Sequence, residues 1–180
     1  MKFLRPLGGA GLAIALSCAS PAFAVPGWTS HATPGDIGTF EVPCGTETLE
    51  RSETERAIRA MCRHDGLLYA VAILPLLKMA PLDLSADEAE AYTFEQLEAE
   101  AAKDPATSDF LAVEYGGLPG FYGRSMAPAS FNHSLIIDLG NDEVLALIAT
   151  ADTITADDPE AAEAERAADA FLKSFKLKPR

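Results

Sequence analysis

Cysteine is scarce in this chain of 180 residues, which contains only three: Cys18, Cys44 and Cys62. No two of them have the C-x-x-C spacing of thiol–disulfide exchange sites and structural zinc sites. Cys62 and His64 would lie on one face of a strand, but no second closely spaced pair of ligands accompanies them. The spacing therefore favours neither a redox centre nor a metal centre.

Catalytic and phosphate-binding motifs are also missing from the sequence. There is no G-x-S-x-G nucleophile motif, no phosphate-binding loop and no dinucleotide fingerprint. Carboxylates are abundant, but on the predicted helices they have the spacing of solvent-exposed faces and not of a buried acid–base pair. The sequence therefore favours a non-catalytic protein over an enzyme, and it predicts no cofactor.

Positive charge and long apolar runs are both in short supply. Lys and Arg total 14 against 27 Asp and Glu, which gives a net charge of −13. So acidic a chain repels the phosphates of nucleic acids and the headgroups of anionic membranes. No apolar run, including Leu7–Leu16 near the N-terminus, approaches the roughly 20 residues of a membrane-spanning helix. We therefore expect no nucleic-acid partner and no membrane span.

The chain does begin with the pattern of a secretory signal peptide. Lys2 and Arg5 precede the apolar run, and Ala22-Phe23-Ala24 is an A-x-A processing site. Cleavage after Ala24 would leave 156 of the 180 residues, and the loss of two basic residues would change the net charge from −13 to −15. We therefore expect residues 1–24 to be removed and the protein to be periplasmic or secreted.

Cys18 leaves an alternative open, a lipoprotein that is cleaved immediately before this cysteine. Signals of that kind usually have Leu three residues before the Cys, whereas Leu16 lies two residues before it. The A-x-A site fits its own pattern better, so the sequence favours simple export over lipidation.

The remaining sequence predicts an exposed leader over residues 25–38 and a single domain over residues 39–180. The leader contains two Pro and three Gly and has little periodicity. In the domain, apolar and alternating segments are separated by turn signals such as Asp65-Gly66. We predict strands at residues 39–43, 49–52, 57–63, 67–74, 110–115, 121–126, 135–139 and 144–150. A helix over residues 48–61 is the alternative to the early strands.

Two helical regions complete the pattern. Ser85-x-x-Glu88 is a capping-box pattern that opens a Glu- and Ala-rich run, and Thr93 is a second start within that run. Asp158 is a predicted N-cap for a final helix, whose apolar stripe has helical spacing: Ala164, Ala168, Phe171 and Phe175. This order of elements predicts an α+β fold, in which a mainly antiparallel sheet has helices packed on it.

Four segments resemble the family that includes the PsbP extrinsic subunit of photosystem II and the Ran-binding nuclear release factor. They are a strand ending in Pro, a central strand with Tyr, a Gly-rich turn and a closing helix: Phe40–Pro43, Leu68–Val71, Gly117–Gly120 and Ala170–Phe175. The resemblance covers about residues 38–177 and rests mainly on the order of the elements. It implies an α-β-α sandwich that serves as a binding or assembly accessory, generally not as an enzyme. It supplies no catalytic residue, and the cysteine pair is not part of its pattern.

After signal cleavage Cys44 and Cys62 form an even pair in an oxidising compartment, which favours a structural disulfide. Closing such a loop would contribute about 3 kcal/mol by constraining the unfolded chain. If residues 39–63 formed a simple meander, however, the two Cα atoms would lie beyond the roughly 7 Å that a disulfide can bridge. Either the first strand pairs elsewhere or the thiols are free.

Two groups of side chains are candidates for a binding surface. The first is a basic strip that lies between the cysteines and continues just past Cys62: Arg51, Arg56, Arg59, Arg63 and His64. The second surrounds the Gly-rich turn at residues 116–120: Tyr115, Tyr122, Arg124 and His133. The alternatives are a solvated strand face for the first group and core packing of the tyrosines for the second.

These features predict an exported, non-catalytic accessory or binding protein whose partner is a protein or a small ligand. Two other functions stay open. One is a metal-dependent hydrolase that uses Cys62, His64 and His133, which bound zinc would reveal. The other is a small-ligand carrier, which a co-purified ligand would reveal.

Overall fold

The computed structural model describes residues 26–54, 57–104, 107, 109–127, 130–151, 154 and 159–179. The predicted signal peptide with Cys18, together with Arg56 and Asp158, lies outside the described residues. The described elements follow one another along the chain as β1 (Thr29–Ala32), β2 (Gly38–Val42), β3 (Glu50–Thr54), β4 (Ala57–His64), β5 (Leu67–Pro75), α1 (Ala86–Glu90), α2 (Phe94–Lys103), β6 (Leu111–Tyr115), β7 (Leu118–Ala127), β8 (Ser130–Gly140), β9 (Glu143–Ala151), α3 (Ala161–Ser174) and β10 (Lys176–Leu177).

Seven of the strands form one antiparallel sheet in the order β3-β4-β5-β9-β8-β7-β6. The hairpin between β4 and β5 turns at Asp65 and Gly66, both of which have positive φ, as a tight hairpin turn requires. Val144–Leu147 in β9 are all buried, so this strand is covered on both faces, as its continuous apolar run predicts. The described strands rule out the alternative helix over residues 48–61.

Helices lie on both faces of this sheet. Leu145 and Leu147 belong to the buried cluster that includes α3, whereas Val144 and Ala146 belong to the cluster that includes α2. Alternate residues of one strand point to opposite faces, so α3 and α2 must cover opposite sides. The predicted α+β fold is therefore confirmed, and its layers are those of an α-β-α sandwich.

A second, smaller sheet has the order β1-β2-β10 and lies on the α3 side. Its presence corrects the prediction of an exposed leader, which is wrong over residues 29–38. His31 and Thr33 are buried there because the backbone satisfies their polar groups: His31 Nε2 is 2.9 Å from the carbonyl oxygen of Cys44, and the Gly38 N–H donates to Thr33 Oγ1 at 2.9 Å.

The strands of residues 39–63 do not form the simple meander that would place the two cysteines too far apart. β2 pairs with β1 and β10 instead, and β3 pairs with β4. Ser174 Oγ at the end of α3 accepts a hydrogen bond from the Glu41 N–H at 2.9 Å, which helps to hold β2 beneath the helix. The first strand thus pairs outside the main sheet, which is the condition that the disulfide required.

The helices begin close to their predicted signals. Ser85 and Thr93 each form a complete capping box, so the Glu- and Ala-rich run is divided into α1 and α2. α3 has Glu160 as its N-cap residue, with no side-chain capping hydrogen bond. The predicted apolar stripe of α3 is buried as expected: Ala164, Ala168, Phe171 and Phe175. Among the described residues, no helix has the length and apolar character to cross a membrane.

Candidate functional site

Cys44 and Cys62 form a disulfide with a Cα–Cα distance of 6.1 Å. Cys44 follows β2 of the small sheet and Cys62 lies in β4 of the large sheet, so the bond joins the two sheets. Both residues are buried in the α3-side core. Because their sulfur atoms are bonded to each other, neither cysteine is available as a thiolate for redox exchange or metal binding.

Arg59 and Arg63 lie in β4 on the face of the sheet opposite α3. Their cross-strand partners show this, because Arg59 pairs with Ala72 and Ala72 pairs with Ala146, a member of the α2-side cluster. Both guanidinium groups are exposed. Neither forms an ion pair with any described residue, although Glu50, which pairs with Met61, lies on the same face in the neighbouring strand β3.

The surface between these arginines and α2 is an uncovered half of the sheet. α2 and the segment before it bury the neighbouring half, around Phe121, Ile136 and Val144. The uncovered half has partly exposed apolar and small side chains with the two arginines along one side. We call it the open strand face, and it consists of Arg59, Met61, Arg63, Leu68, Ala70, Ala72, Ile148 and Thr150.

The other two described side chains of the predicted strip, Arg51 and His64, point away from this face. Arg51 pairs with Ala60 on the α3 side, where its guanidinium donates to the carbonyl oxygen of Ala32 at 3.1 Å. His64 is half-exposed at the end of β4, and its Nε2 atom is 3.1 Å from the Asp65 carboxylate. Of the four described members of the strip, the structure therefore brings together Arg59 and Arg63 on this face, and Arg56 lies outside the described residues.

The residues predicted around the Gly-rich turn lie on the α3 side of the sheet. Tyr122 in β7 donates its hydroxyl hydrogen to Asp169 of α3 at 3.1 Å. The same hydroxyl oxygen is 3.2 Å from His133 Nδ1, and His133 Nδ1 is 3.3 Å from Asp169. Three polar side chains thus converge between the sheet and α3, where they link two layers of the fold.

The strand predicted at residues 135–139 begins earlier in the structure, so that it includes His133. His133 lies within β8, is 1% exposed, and stacks on Phe131 with ring centroids 4.6 Å apart. Burial lowers the pKa of His133, because it disfavours the charged ring more than the nearby Asp169 carboxylate favours it. Its Nε2 atom is buried without a hydrogen-bond partner in the described structure. The neutral imidazole is therefore the form that suits this site.

The remaining candidates also serve packing. Burial raises the pKa of Tyr122, and the negative charge of Asp169 raises it further. Burial alone raises the pKa of Tyr115, whose ring lies 5.7 Å from that of Phe175. Arg124 pairs with Glu165 of α3 and with Asp109, the latter at 3.4 Å. This second group is a set of links between the sheet and the final helix.

The ligand set of the metal-dependent alternative does not come together. Cys62 is bonded to Cys44, while His133 is enclosed beneath α3 and His64 is at the sheet end. Across the described ranges, no group of three or more His, Cys, Asp or Glu residues is placed to hold a metal ion.

Sequence reasoning missed two features of the site region. The acidic partners of Tyr122 and Arg124 are Asp169 and Glu165, one helical turn apart on α3. In the sequence, these carboxylates have the spacing of a solvent-exposed helix face. In the sequence, only the placement of Arg59, Met61 and Arg63 at every second position of a strand indicates the open strand face. Nothing local to that strand indicates that α2 stops short of it.

No protein-family model matches the chain, and no curated protein sequence does. Among solved structures, the Saccharomyces cerevisiae Ran-binding protein Mog1p is similar over 83% of this chain and 95% of its own, with 13% identity and a TM-score of 0.43. A point variant of protein Mog1 has the same coverage, 12% identity and a TM-score of 0.42. A Bacteroides thetaiotaomicron protein is similar over 84% of this chain, with 11% identity and a TM-score of 0.43, and the match spans 48% of that protein. The fold assignment rests on the strands and helices described above, and these likenesses add no functional argument.

Proposed function

We propose that this protein is an exported, non-catalytic binding protein of the PsbP-like and Ran-binding release-factor type, which docks an acidic, partly apolar segment of a protein partner on its open strand face. The observation that carries the proposal is a pair of exposed arginines, Arg59 and Arg63, that form no ion pair with a described residue and lie beside an uncovered apolar strip. The pattern of residues 1–24 supports export, and the sequence resemblance supports a role in binding or assembly.

The dimensions of the open strand face suit an extended or helical segment. Arg59 and Arg63 are four residues apart in one strand, so their Cα atoms are separated by about 13 Å. The cross-strand rows Met61–Ala70–Ile148 and Arg63–Leu68–Thr150 span three neighbouring strands, a width of about 10 Å. The short side chains of Ala70 and Ala72 let a partner approach the sheet closely, while Met61 and Leu68 supply apolar contact area.

Charge gives this face its selectivity. The whole chain has a net charge of −13, so an acidic partner is repelled by most of the surface and attracted where Arg59 and Arg63 lie. Complementary charges of this kind steer association and fix the orientation of a partner more than they add affinity. Contact with Met61 and Leu68 would then supply the burial of apolar area that holds the complex together.

The test is a comparison of two double variants with equal change in charge. Arg59→Glu/Arg63→Glu reverses both charges on the open strand face, whereas Lys103→Glu/Lys176→Glu reverses two exposed lysines elsewhere. Tagged wild-type protein is used to capture partners from the periplasmic fraction of the source cells, and the captured protein is then titrated in isolation. We expect the arginine variant to weaken binding by about tenfold or more and the lysine variant to have little effect.

Several results would contradict the proposal. Equal binding by both variants would show that the open strand face is not the docking surface, and capture of no partner by the wild type would remove the binding role. Export is tested separately, by cell fractionation and N-terminal sequencing, with Val25 as the expected first residue. Protein that remains in the cytoplasm with Met1 intact would rule out the predicted signal.

A further inference from the structure

A groove with a volume of about 620 Å³ lies on the α3 side of the sheet, remote from the open strand face. It is bounded by Trp28 before β1, by the turn between β4 and β5, and by the first turns of α3. The side chains that give it chemical character are Trp28, His64, Asp65, Tyr69, Glu163 and Arg166. The proposed docking of a protein partner does not use this groove.

Tyr69 is the buried polar group of the groove. It is 3% exposed, and its ring is held edge-on between Trp28, at 5.7 Å, and Phe171, at 5.3 Å. Although the ring is buried, the hydroxyl oxygen is not enclosed by the protein and opens onto the groove. The hydroxyl of Tyr69 has no hydrogen-bond partner among the residues that the structure describes, so a ligand in the groove can use it.

The charges around Tyr69 are mainly negative. Asp65, Glu160 and Glu163 line the groove against the single arginine, Arg166. His64 Nε2 lies 3.1 Å from the Asp65 carboxylate, so Asp65 contacts His64 and can still contact a ligand. Burial and the charge of Asp65 raise the pKa of Tyr69 to about 12, so its hydroxyl stays protonated at neutral pH and can both donate and accept. The groove therefore selects against anions.

Trp28 supplies the apolar surface. Its side chain is partly exposed beside the buried Tyr69, and the face of an indole ring attracts organic cations as well as apolar groups. An aromatic wall, a free phenolic hydroxyl and excess carboxylate together are the features by which proteins bind amines.

We propose that this groove binds a small organic ammonium compound, with its apolar body against Trp28 and its ammonium group between the Tyr69 hydroxyl and the carboxylates of Asp65 and Glu163. This is a small-ligand site separate from the docking of a protein partner. A ligand with a carboxylate in place of the ammonium would meet repulsion from the same groups.

Trp28 is the single tryptophan of the chain, so its fluorescence reports directly on the groove. The protein as purified from the source cells, with its natural N-terminus, is titrated with three probes of similar shape: 2-phenylethylammonium, neutral 2-phenylethanol and anionic 3-phenylpropanoate. Calorimetric titration of the same probes gives a readout that does not depend on emission. We expect saturable binding of the ammonium probe, with the alcohol weaker and the anion weakest.

Two variants test the contacts. Tyr69→Phe removes the hydroxyl and should weaken the ammonium probe about fivefold, which is typical of one lost hydrogen bond. Glu163→Gln removes one exposed carboxylate without affecting the core and should also weaken it severalfold. Glu114→Gln, an exposed change on β6, is the matched control and should leave the affinity unchanged.

The proposal is overturned if the ammonium probe does not bind up to about 10 mM, a concentration far above the dissociation constant of a selective site. Tighter binding of the anionic probe would overturn it as well. So would equal affinities of wild type and Glu163→Gln, even if Tyr69→Phe fails to fold. Loss of partner capture by Arg59→Glu/Arg63→Glu with normal amine binding would show that the two sites are independent.

Discussion

Cys44 and Cys62 are 18 residues apart in the chain, and their Cα atoms are 6.1 Å apart, although Cys44 follows a strand of the small sheet and Cys62 lies in the large sheet. β2 runs beneath α3 while β4 lies in the main sheet, so the disulfide is a covalent link between the two. The loop that it closes contains β3 and the first part of β4, a region with many exposed residues. The bond therefore constrains a part of the chain that has little core of its own.

Loss of this disulfide should destabilise the protein without changing its fold. We expect the double variant Cys44→Ala/Cys62→Ala to lose about 3 kcal/mol of unfolding free energy, because the unfolded chain regains the freedom of the loop. Urea denaturation followed by circular dichroism measures this loss. Reduced wild-type protein serves as the control and should show a similar decrease, whereas thiols at both positions that react with a modifying reagent in the native, unreduced protein would contradict the bond.

Phe171 should be one of the most sensitive residues of the core. It is 0% exposed and contacts the rings of Phe40 and Tyr69, so it joins α3 to both sheets. We expect Phe171→Ala to cost about 3–5 kcal/mol of unfolding free energy through lost burial and the cavity that remains. Leu82→Ala removes a fully exposed side chain and should change stability by less than about 0.5 kcal/mol. Equal effects of the two changes would be incompatible with the described core.

Stability should depend on pH through His133. Its pKa is lowered below 6.5 in the folded protein, mainly by burial, so the unfolded chain binds this proton more readily. His133 therefore leaves the unfolding free energy undiminished above about pH 6.5. The unfolding free energy decreases as the pH falls from there towards the folded-state pKa. The decrease should be about 1.4 kcal/mol for each unit by which the pKa is lowered.

Unfolding free energies of wild type and His133→Phe between pH 7.5 and pH 5 measure this contribution. The groups that face His133 are Tyr122 and Asp169, with Arg124 and Asp109 also acting on it. These carboxylates titrate in both proteins, so the difference between the two profiles isolates the histidine. Parallel profiles would mean that His133 does not carry the pH dependence.

The hydroxyl of Tyr122 and the carboxylate of Asp169 should be energetically coupled. They lie 3.1 Å apart and connect β7 to α3. A double-mutant cycle with Tyr122→Phe and Asp169→Asn should give a coupling of about 1 kcal/mol, since Asp169 is partly exposed. Lys173, which contacts Asp169 at 3.3 Å but is 78% exposed, is the control, and Lys173→Gln should change stability by less than about 0.5 kcal/mol. Purely additive effects of Tyr122→Phe and Asp169→Asn would show that the contact contributes nothing.

The elements that could be predicted from sequence are those whose signals are local. The Asp65-Gly66 turn, the capping boxes at Ser85 and Thr93, and the stripe on α3 each need only a few neighbouring residues, and the structure has them all. The small sheet depends on contacts such as Thr39 with Lys176, which no short pattern encodes. For this reason, the local sequence of residues 25–38 predicts an exposed leader and not strands of a sheet.

The candidate site was less accessible for a similar reason. The Asn132-His133-Ser134 segment has the polarity of a loop, and only the surroundings supplied by Phe131, Tyr122 and α3 explain why a histidine is buried there. The sequence indicates Arg59 and Arg63 as surface candidates because they belong to a cluster of basic residues in an acidic chain. Their separation from Tyr122 and His133 depends on which face of the sheet α3 covers, and this is a property of the tertiary fold.

The pairing of Gly38–Thr39 with Lys176–Leu177 also bears on the order in which the chain can fold. All seven strands of the large sheet are complete at Ala151, so that sheet can assemble while later residues are still being synthesised. The segment before β3 cannot complete its packing at that stage, because β10, which pairs with β2, and α3, which covers it, are formed by later residues. Contacts between such distant parts of a chain form slowly. In folding intermediates of this protein, the amide hydrogens of the large sheet should therefore be protected from exchange, and those of β1 and β2 should not. The small sheet, which pairs β2 with β10, should form last.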